Sequence, residues 1–448
     1  MALATADLQQ QAVEALRAGR FAEAEGHYRR LLAAHRHPAF LNNLGLVLVA
    51  QHRDAEAVPC FQDALAARPD DANARVALSN ALLHCGRAAE ALAACDALLQ
   101  RSPGHRDARH NRAVALRALA RNAEAAEVLE ALLAEDPDDG DAEFNLALAE
   151  LMLGRYQRAW RHYEARWRGR SPQPPLPAVP LPLWREGESL AGRAVLVQAE
   201  QGLGDTLQFV RLLDAACAAC ARVDVQVPDT LLGLVRRRWP SLRVQPLGAM
   251  PQPGLEIRIA LMSLPLALGI GDPGSAQPYL AACEERMREW RSRLPAAGRR
   301  VAVAWRGNPA KRHDPMRSMP LDALAPWLAA ARERGLSVVA LQRDADERER
   351  ARLAGEPHVV VPGEGLRDFD DTAAVMALCD QVVSVDTSVI HLAGALGRPA
   401  VVALHYASDW RWGIDRPDGA TYRSVRAVRQ PAPGAWHAVV QTLIERLP

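Results

Sequence analysis

Lysine is almost missing from this 448-residue chain: Lys311 is the single one among 54 basic residues. Arginine supplies the rest, which a GC-rich coding bias explains, and the position of the one lysine is then worth following. Long runs of one charge sign are also absent, and the net charge is +1. Neither nucleic acid nor an anionic membrane surface is therefore an expected partner. No apolar run reaches the ~20 residues that a membrane-crossing helix needs, so no transmembrane segment is expected. The opening residues MALATADLQQQAVEALRAGR lack a basic segment followed by an apolar core, so no secretory signal is expected. Seven cysteines are scattered through the chain, an odd number that fits a reducing cytoplasm. Cys217 and Cys220 form one CxxC without a second pair, which reads as helix packing rather than a metal site. No His/Asp cluster at metal-ligand spacing stands out, so metal-independent chemistry without a cofactor is expected.

What is present begins with a repeat. Pro69, Pro103 and Pro137 are each 34 residues apart, as are Ala57, Ala91, Ala125 and Ala159. Large residues share the frame at Leu44, Leu78 and Leu146, and small turn residues precede arginine at Gly19-Arg20, Gly86-Arg87 and Gly154-Arg155. Small Ala and Gly let two helices approach, a large residue fills the next groove, and Pro stops the second helix. The period and residue sizes resemble the tetratricopeptide repeat. Four to five repeats are expected over residues 1–168, the first one residue out of frame. Such arrays bury a core only by stacking and leave a concave groove, which suits a protein partner. A rigid spacer or a dimerisation arm, hence a homo-oligomer, is the alternative. Trp160, Tyr163 and Trp167 lie on one helix face and read as a cap over the last repeat, which would also fix the array against the next domain.

Residues 171–183 hold six prolines, so 169–184 is expected to be an extended, stiff linker. Beyond it, strand-like and helix-like segments alternate, which implies parallel, doubly wound sheets. The first half, 185–295, opens with the strand AVLVQA and the turn Glu200-Gln201-Gly202-Leu203-Gly204-Asp205. Ligands bind at this carboxyl edge in such sheets, although turn glycines before an Asp helix cap explain the residues equally. The second half, 296–448, opens with RVAVAW. A loop with Asn308, Lys311, Arg312, His313 and Arg317 comes next, and a cationic loop at that edge suits a phosphate. A solvated surface loop is the alternative. Later, the run 381–385 ends in Asp386-Thr387-Ser388, then a small-residue helix and a second apolar run: one βαβ unit. The helix start is an ordinary cap or a phosphate seat. Trp410 and Trp412 either stack on a base or sugar or pack in the core. The last helix, about 435–447, is expected to cross back and brace the first half.

The segments EQGLGDTLQF, AWRGNPAKRHDPMRS, DTAAVMALCDQVVSVDTSVIHLAGALGRP and DWRW resemble the bacterial heptosyltransferases. The whole chain resembles bacterial proteins in which tetratricopeptide repeats precede such a domain. The resemblance implies an α-solenoid followed by a two-Rossmann, GT-B-like glycosyltransferase domain. It implies an active-site cleft between the halves and a nucleotide-diphosphate sugar as substrate. By that likeness Asp205 is the general base. Lys311, Arg317, Asp386, Thr387, Ser388 and His391 serve the donor and its diphosphate. Gly202, Gly204, Gln208, Asn308 and Trp410 line the acceptor side or the cleft. Ser388 stands where the family has Gly. The function so implied is inverting transfer to a protein or glycan acceptor, with the repeats recruiting the acceptor. A non-catalytic repeat scaffold is the alternative.

Overall fold

The computed structural model describes residues 2–170, 172–272, 277–296, 298–308, 314–413 and 421–448. The chain divides into two compact units, Met1–Ala149 and Glu150–Pro448.

The first unit is a run of helices joined by short turns: Ala2–Arg17, Phe21–Ala34, Pro38–Ala50, Asp54–Ala67, Ala72–His84, Ala88–Leu99, Arg106–Ala118 and Asn122–Glu135. Each packs on the next, with Leu44, Leu48, Phe61, Leu82 and Leu116 among the buried residues of one core. Close approach depends on small residues: a Cβ on Gly45 would lie 2.6 Å from the Phe61 ring. The repeat period is also written in the backbone. Left-handed residues recur at His52, Gly86, Ala120 and Gly154, with φ of 60°, 73°, 60° and 72°. Gly19, at φ 71°, is one residue out of that frame, as the sequence shift predicts. Glycine accepts this conformation freely, whereas a side chain there costs about 1–2 kcal/mol.

The second unit holds two parallel sheets. Strands β1 (Ala194–Gln198), β2 (Arg222–Val227), β3 (Arg243–Pro246) and β4 (Ile257–Ala260) are ordered β3-β2-β1-β4. Strands β5 (Arg300–Ala304), β6 (Ser337–Ala340), β7 (Val359–Val360), β8 (Gln381–Val385), β9 (Ala400–Leu404) and β10 (Val425–Arg429) are ordered β10-β9-β8-β5-β6-β7. Every pairing is parallel. The central strands β5, β8 and β9 are largely apolar on both faces, as expected where helices cover both, whereas β1 and β2 bury Gln198, Asp224 and Gln226. β10 is an edge strand that the sequence pattern does not announce, since the two arginines of VRAVR, three apart, break both an apolar run and a strict alternation.

Three features differ from expectation. The proline-rich stretch lies within the second unit: Leu183 bridges Arg258 on β4, and the Trp184 amide donates to the Arg258 carbonyl at 2.7 Å. Val179 and Leu181 pack on Ala194, Leu196 and Leu255. Proline suits that open sheet edge, where its missing N–H is no loss. The helix Tyr156–Tyr163 also belongs to this unit. Trp160 donates its indole N–H to Gly271 O at 2.8 Å and meets Phe209 and Trp410 edge-on, so its aromatic face serves the α/β domain. Finally, Trp436–Glu445 does not brace the first half. Trp436, Val439, Val440 and Leu443 are buried with Leu324, Leu328 and Val401, because the helix returns directly onto the sheet that β10 ends. Among the described residues no helix is long and apolar enough to cross a membrane.

A buried ion pair ties the helical segment to β1. The Arg166 side chain, 0% exposed, donates to both oxygens of Glu200 at 2.9 Å, to Ser263 Oγ at 2.8 Å and to Glu164 at 2.7 Å. Arg166→Ala leaves Glu200 uncompensated and should cost about 3–5 kcal/mol in urea unfolding. Replacing both residues by Met should restore most of that loss, and an equal loss in both variants would overturn the charge account.

Candidate functional site

Two strand-to-helix turns meet in the second unit. In the first half, β1 leads through Gln201, left-handed at φ 59°, to the helix Leu203–Phe209. Asp205 turns back on the helix start, and its Oδ2 accepts from the Gly202 amide at 2.9 Å. In the second half, β8 ends in Asp386 and Thr387, and the helix Ser388–Ala395 comes next. Thr387 Oγ1 accepts from the Val389 amide at 3.3 Å and lies 3.1 Å from Ser384 Oγ. Ser384 spends its own proton on Val385 O at 2.7 Å, so Thr387 donates to Ser384. The Thr387 hydroxyl is thus committed to holding the turn, and the helix N-terminus is the group left to face an anion.

The two helices touch at Gly204. A Cβ there would lie 2.8 Å from His391 Cδ2 and 3.6 Å from Ser388 Cα, so glycine at this position is required by the other half of the domain. His391 is buried; its Nε2 lies 3.7 Å from Asp386 Oδ1 and its Nδ1 lies 3.0 Å from the Tyr422 hydroxyl. Burial and the charges of Arg411, Arg211 and Arg317 hold the ring neutral, well below the ordinary histidine range. Burial, then the neighbouring Asp409, pushes the Asp386 carboxyl up to about 6, against the Trp412 indole and the charges of Arg411 and Arg317. The Arg317 charge is thus felt at both Asp386 and His391.

Arg411 joins the halves. Its guanidinium donates to Asp205 Oδ1 at 2.7 Å, to Asp409 Oδ1 at 2.8 Å and to Gln208 Oε1. It also lies 4.6 Å from the Trp410 ring centre. Burial works against its charge, and Asp409 and Asp205 more than offset that. Sequence reasoning passed over Arg411, Asp409 and Tyr422. The DWRW segment drew attention through its tryptophans, and the signal missed was an arginine between them with an aspartate two residues before it.

Some expected site residues are placed differently. Trp410 and Trp412 are buried, the first against Tyr156 and Trp160, the second beside His391 and Tyr422. Core packing, rather than stacking on a ligand, uses these rings. Gln208 is fully buried and spends its carbonyl on Arg411 instead of lining an open cleft. Asn308 is exposed on the loop after β5. Lys311, Arg312 and His313 lie outside the described residues. Among the described residues no group of three His, Cys, Asp or Glu is placed to hold a metal ion.

Residues 10–59, 48–106 and 110–175 match the tetratricopeptide repeat family. Residues 260–431 match glycosyltransferase family 9 (heptosyltransferase). The second match contains Arg317, Asp386, Thr387, Ser388, His391 and Arg411 and begins after the Asp205 turn. Protein FlbA of Caulobacter vibrioides is 28% identical over 312 residues, 64% of this chain and 51% of FlbA. The chain thus spans about half the length of that relative. A tetratricopeptide repeat protein from Parabacteroides merdae overlaps 36% of this chain and 64% of its own, at 20% identity and TM-score 0.33. MamA of Desulfovibrio magneticus overlaps 36% and 91%, at 19% and 0.34. The chain thus carries a tetratricopeptide-repeat match ahead of a glycosyltransferase family 9 match.

The raised Asp386 carboxyl makes a pH prediction. Its folded value, about 6, stands above the ordinary 3.8, so the folded state takes up this proton more readily than the unfolded chain. The resulting stability is full below the ordinary value and is lost as pH rises through about 6. Asp386→Asn should therefore gain stability relative to the parent between acid and neutral pH, on the order of 2–3 kcal/mol. Urea unfolding of both proteins across that window checks it, and parallel curves would overturn it.

Proposed function

We propose that this chain, whose C-terminal domain is that of a family 9 glycosyltransferase, is an inverting, metal-independent enzyme. It moves a sugar from a nucleotide-diphosphate donor to a protein or glycan acceptor recruited by the repeats. The observation that carries the reading is the meeting of two turns, one with Asp205 and one with Asp386, at the carboxyl ends of separate parallel sheets. In such a cleft an acceptor hydroxyl attacks the anomeric carbon. The new C–O bond forms as the bond to the diphosphate breaks, the hydroxyl proton passes to Asp205, and charge collects on the leaving diphosphate.

The groups available fit those roles. Asp205 is aimed by Gly202 and Arg411 and keeps a free lone pair on each oxygen. The N-terminus of Ser388–Ala395, with Arg317 and Lys311, stabilises the diphosphate without a metal ion. Ser388 supplies its amide where close approach is needed. Stacked repeats offer the extended surface that a macromolecular acceptor requires. An odd number of cysteines, seven, suits a reducing compartment, the cytoplasm.

One observation favours a second reading, a non-catalytic scaffold: both Asp205 oxygens already accept a hydrogen bond. Hydrolysis of a panel of UDP-, GDP-, ADP- and dTDP-sugars, with and without cell extract, separates the two. No turnover and no nucleotide binding by calorimetry excludes the transferase. Asp205→Asn should lower kcat by about 10²–10⁴-fold with donor affinity unchanged; a collapse of donor affinity would remove Asp205 as base. Lys311→Ala should weaken a nucleoside diphosphate by about 10–100-fold and leave the nucleoside untouched, and an equal loss for both would take Lys311 off the phosphate.

The repeats are tested by truncation. Because the helix Tyr156–Tyr163 packs within the second unit, the cut belongs after residue 149. Removing 1–149 should spare donor hydrolysis and lose transfer to the macromolecular acceptor. Retained transfer would reduce the repeats to a spacer.

A further inference from the structure

The Asp205 carboxylate is aimed from two sides, by the Gly202 amide at 2.9 Å and by Arg411 at 2.7 Å. The direction of the Gly202 amide is set by the residue before it, Gln201, whose backbone is left-handed at φ 59°. A side chain in that region costs about 1–2 kcal/mol, so the conformation is imposed by its surroundings. The hold comes from residues that precede both sheets. Gln201 Nε2 donates to the Tyr163 hydroxyl at 3.1 Å. Arg166 donates to both Glu200 oxygens at 2.9 Å and to Ser263 Oγ at 2.8 Å. Glu200 also accepts the Met262 amide at 3.1 Å, so the turn after β1 is tied to the turn after β4.

The same helical segment backs the other side. Trp160 meets the Phe209 ring, at the end of the Asp205 helix, with centres 5.9 Å apart. It also meets the Trp410 ring, next to Arg411, at 5.5 Å. Both groups that aim Asp205 therefore rest on one short element. Stability alone does not account for this construction. Apolar side chains of similar volume commonly match a buried ion pair, and glycine would relieve the strain at Gln201. What the ion pair and the strained residue supply is direction. A forked guanidinium fixes Glu200 in one orientation, and backbone strain of this kind persists only where the surroundings over-determine it.

We propose that Tyr163 and Arg166 are positioning residues of the transferase site, holding the backbone of 200–202 so that the Gly202 amide aims Asp205. The inference deepens the proposed function and rests on Asp205 as the base. Tyr163 and Arg166 fall within the last repeat match, 110–175, and well before the family 9 match, 260–431. The end of the segment that reads as repeat is thus part of the machinery that directs the base. The transferase site is incomplete without it.

Two variants of the full-length protein test this, with kcat and KM measured on whichever of UDP-, GDP-, ADP- or dTDP-glucose the parent turns over. In Arg166→Met/Glu200→Met, stability in urea returns close to that of the parent, yet kcat should stay roughly 10–100-fold down with the donor KM unchanged. A kcat that recovers together with stability would make the pair structural only and overturn the proposal. Tyr163→Phe keeps the ring, loses one hydroxyl and covers the case in which the double variant does not fold. Its kcat should fall about five-fold, and a parental kcat overturns the role of Tyr163. A second readout needs no turnover. Gln201-Gly202 is the one Gln-Gly step in the chain, so labelling Gln carbonyl carbons and Gly amide nitrogens isolates its signal. The Gly202 amide should exchange with solvent about ten-fold faster in either variant than in the parent under folding conditions, and equal exchange overturns the clamp. If the parent turns over none of these donors, the transferase reading fails, whereas exchange at Gly202 still decides whether Tyr163 and Arg166 hold the turn.

Discussion

Arg411 is a buried guanidinium whose acceptors come from both sheets. Taking such a charge out of water costs several kcal/mol unless it is paired and hydrogen-bonded. The pairing requires Asp205 and Gln208 from one half and Asp409 from the other. A planar, forked donor tolerates little misorientation, so the two strand-to-helix turns are held in one register. Apolar side chains of similar volume commonly match such a network in stability. What Arg411 adds is the aim of the Asp205 carboxylate and the sharing of charge among Asp205, Asp409 and Asp386.

The segment 200–205 is clamped from its other end as well. Glu200 is gripped by Arg166, and Gln201 donates to the Tyr163 hydroxyl at 3.1 Å. Between them Gln201 holds a left-handed backbone of a kind that costs about 1–3 kcal/mol unless its surroundings impose it. Two buried arginines, one from the helical segment and one from the DWRW turn, therefore bracket the GLGD turn. The helix at 156–163 belongs to the α/β domain by its energetics, although its position in the repeat marks it as the end of the array. Repeat periodicity and domain membership part company there because the aromatic face of that helix finds Phe209, Gly271 and Trp410.

The sequence by itself determined whatever depends on neighbours along the chain. The 34-residue step set the helical hairpins and even the one-residue offset of the first, which returns as a left-handed turn at Gly19. Apolar runs between turns set β1, β5, β8 and β9, and small or capping residues marked both turns that meet at Gly204. Tertiary structure alone decided whatever depends on partners far apart. Gly204 reads as a turn glycine until His391, 187 positions later, is packed on it. Arg411 reads as one arginine among many until Asp205 stands 2.7 Å away. Tyr422, the proline-rich sheet edge and the path of the final helix carry no local signature. The physical reason is the same in each case: periodicity and turn chemistry are short-range, whereas a buried charge or ring acquires meaning only from the group that topology brings opposite it.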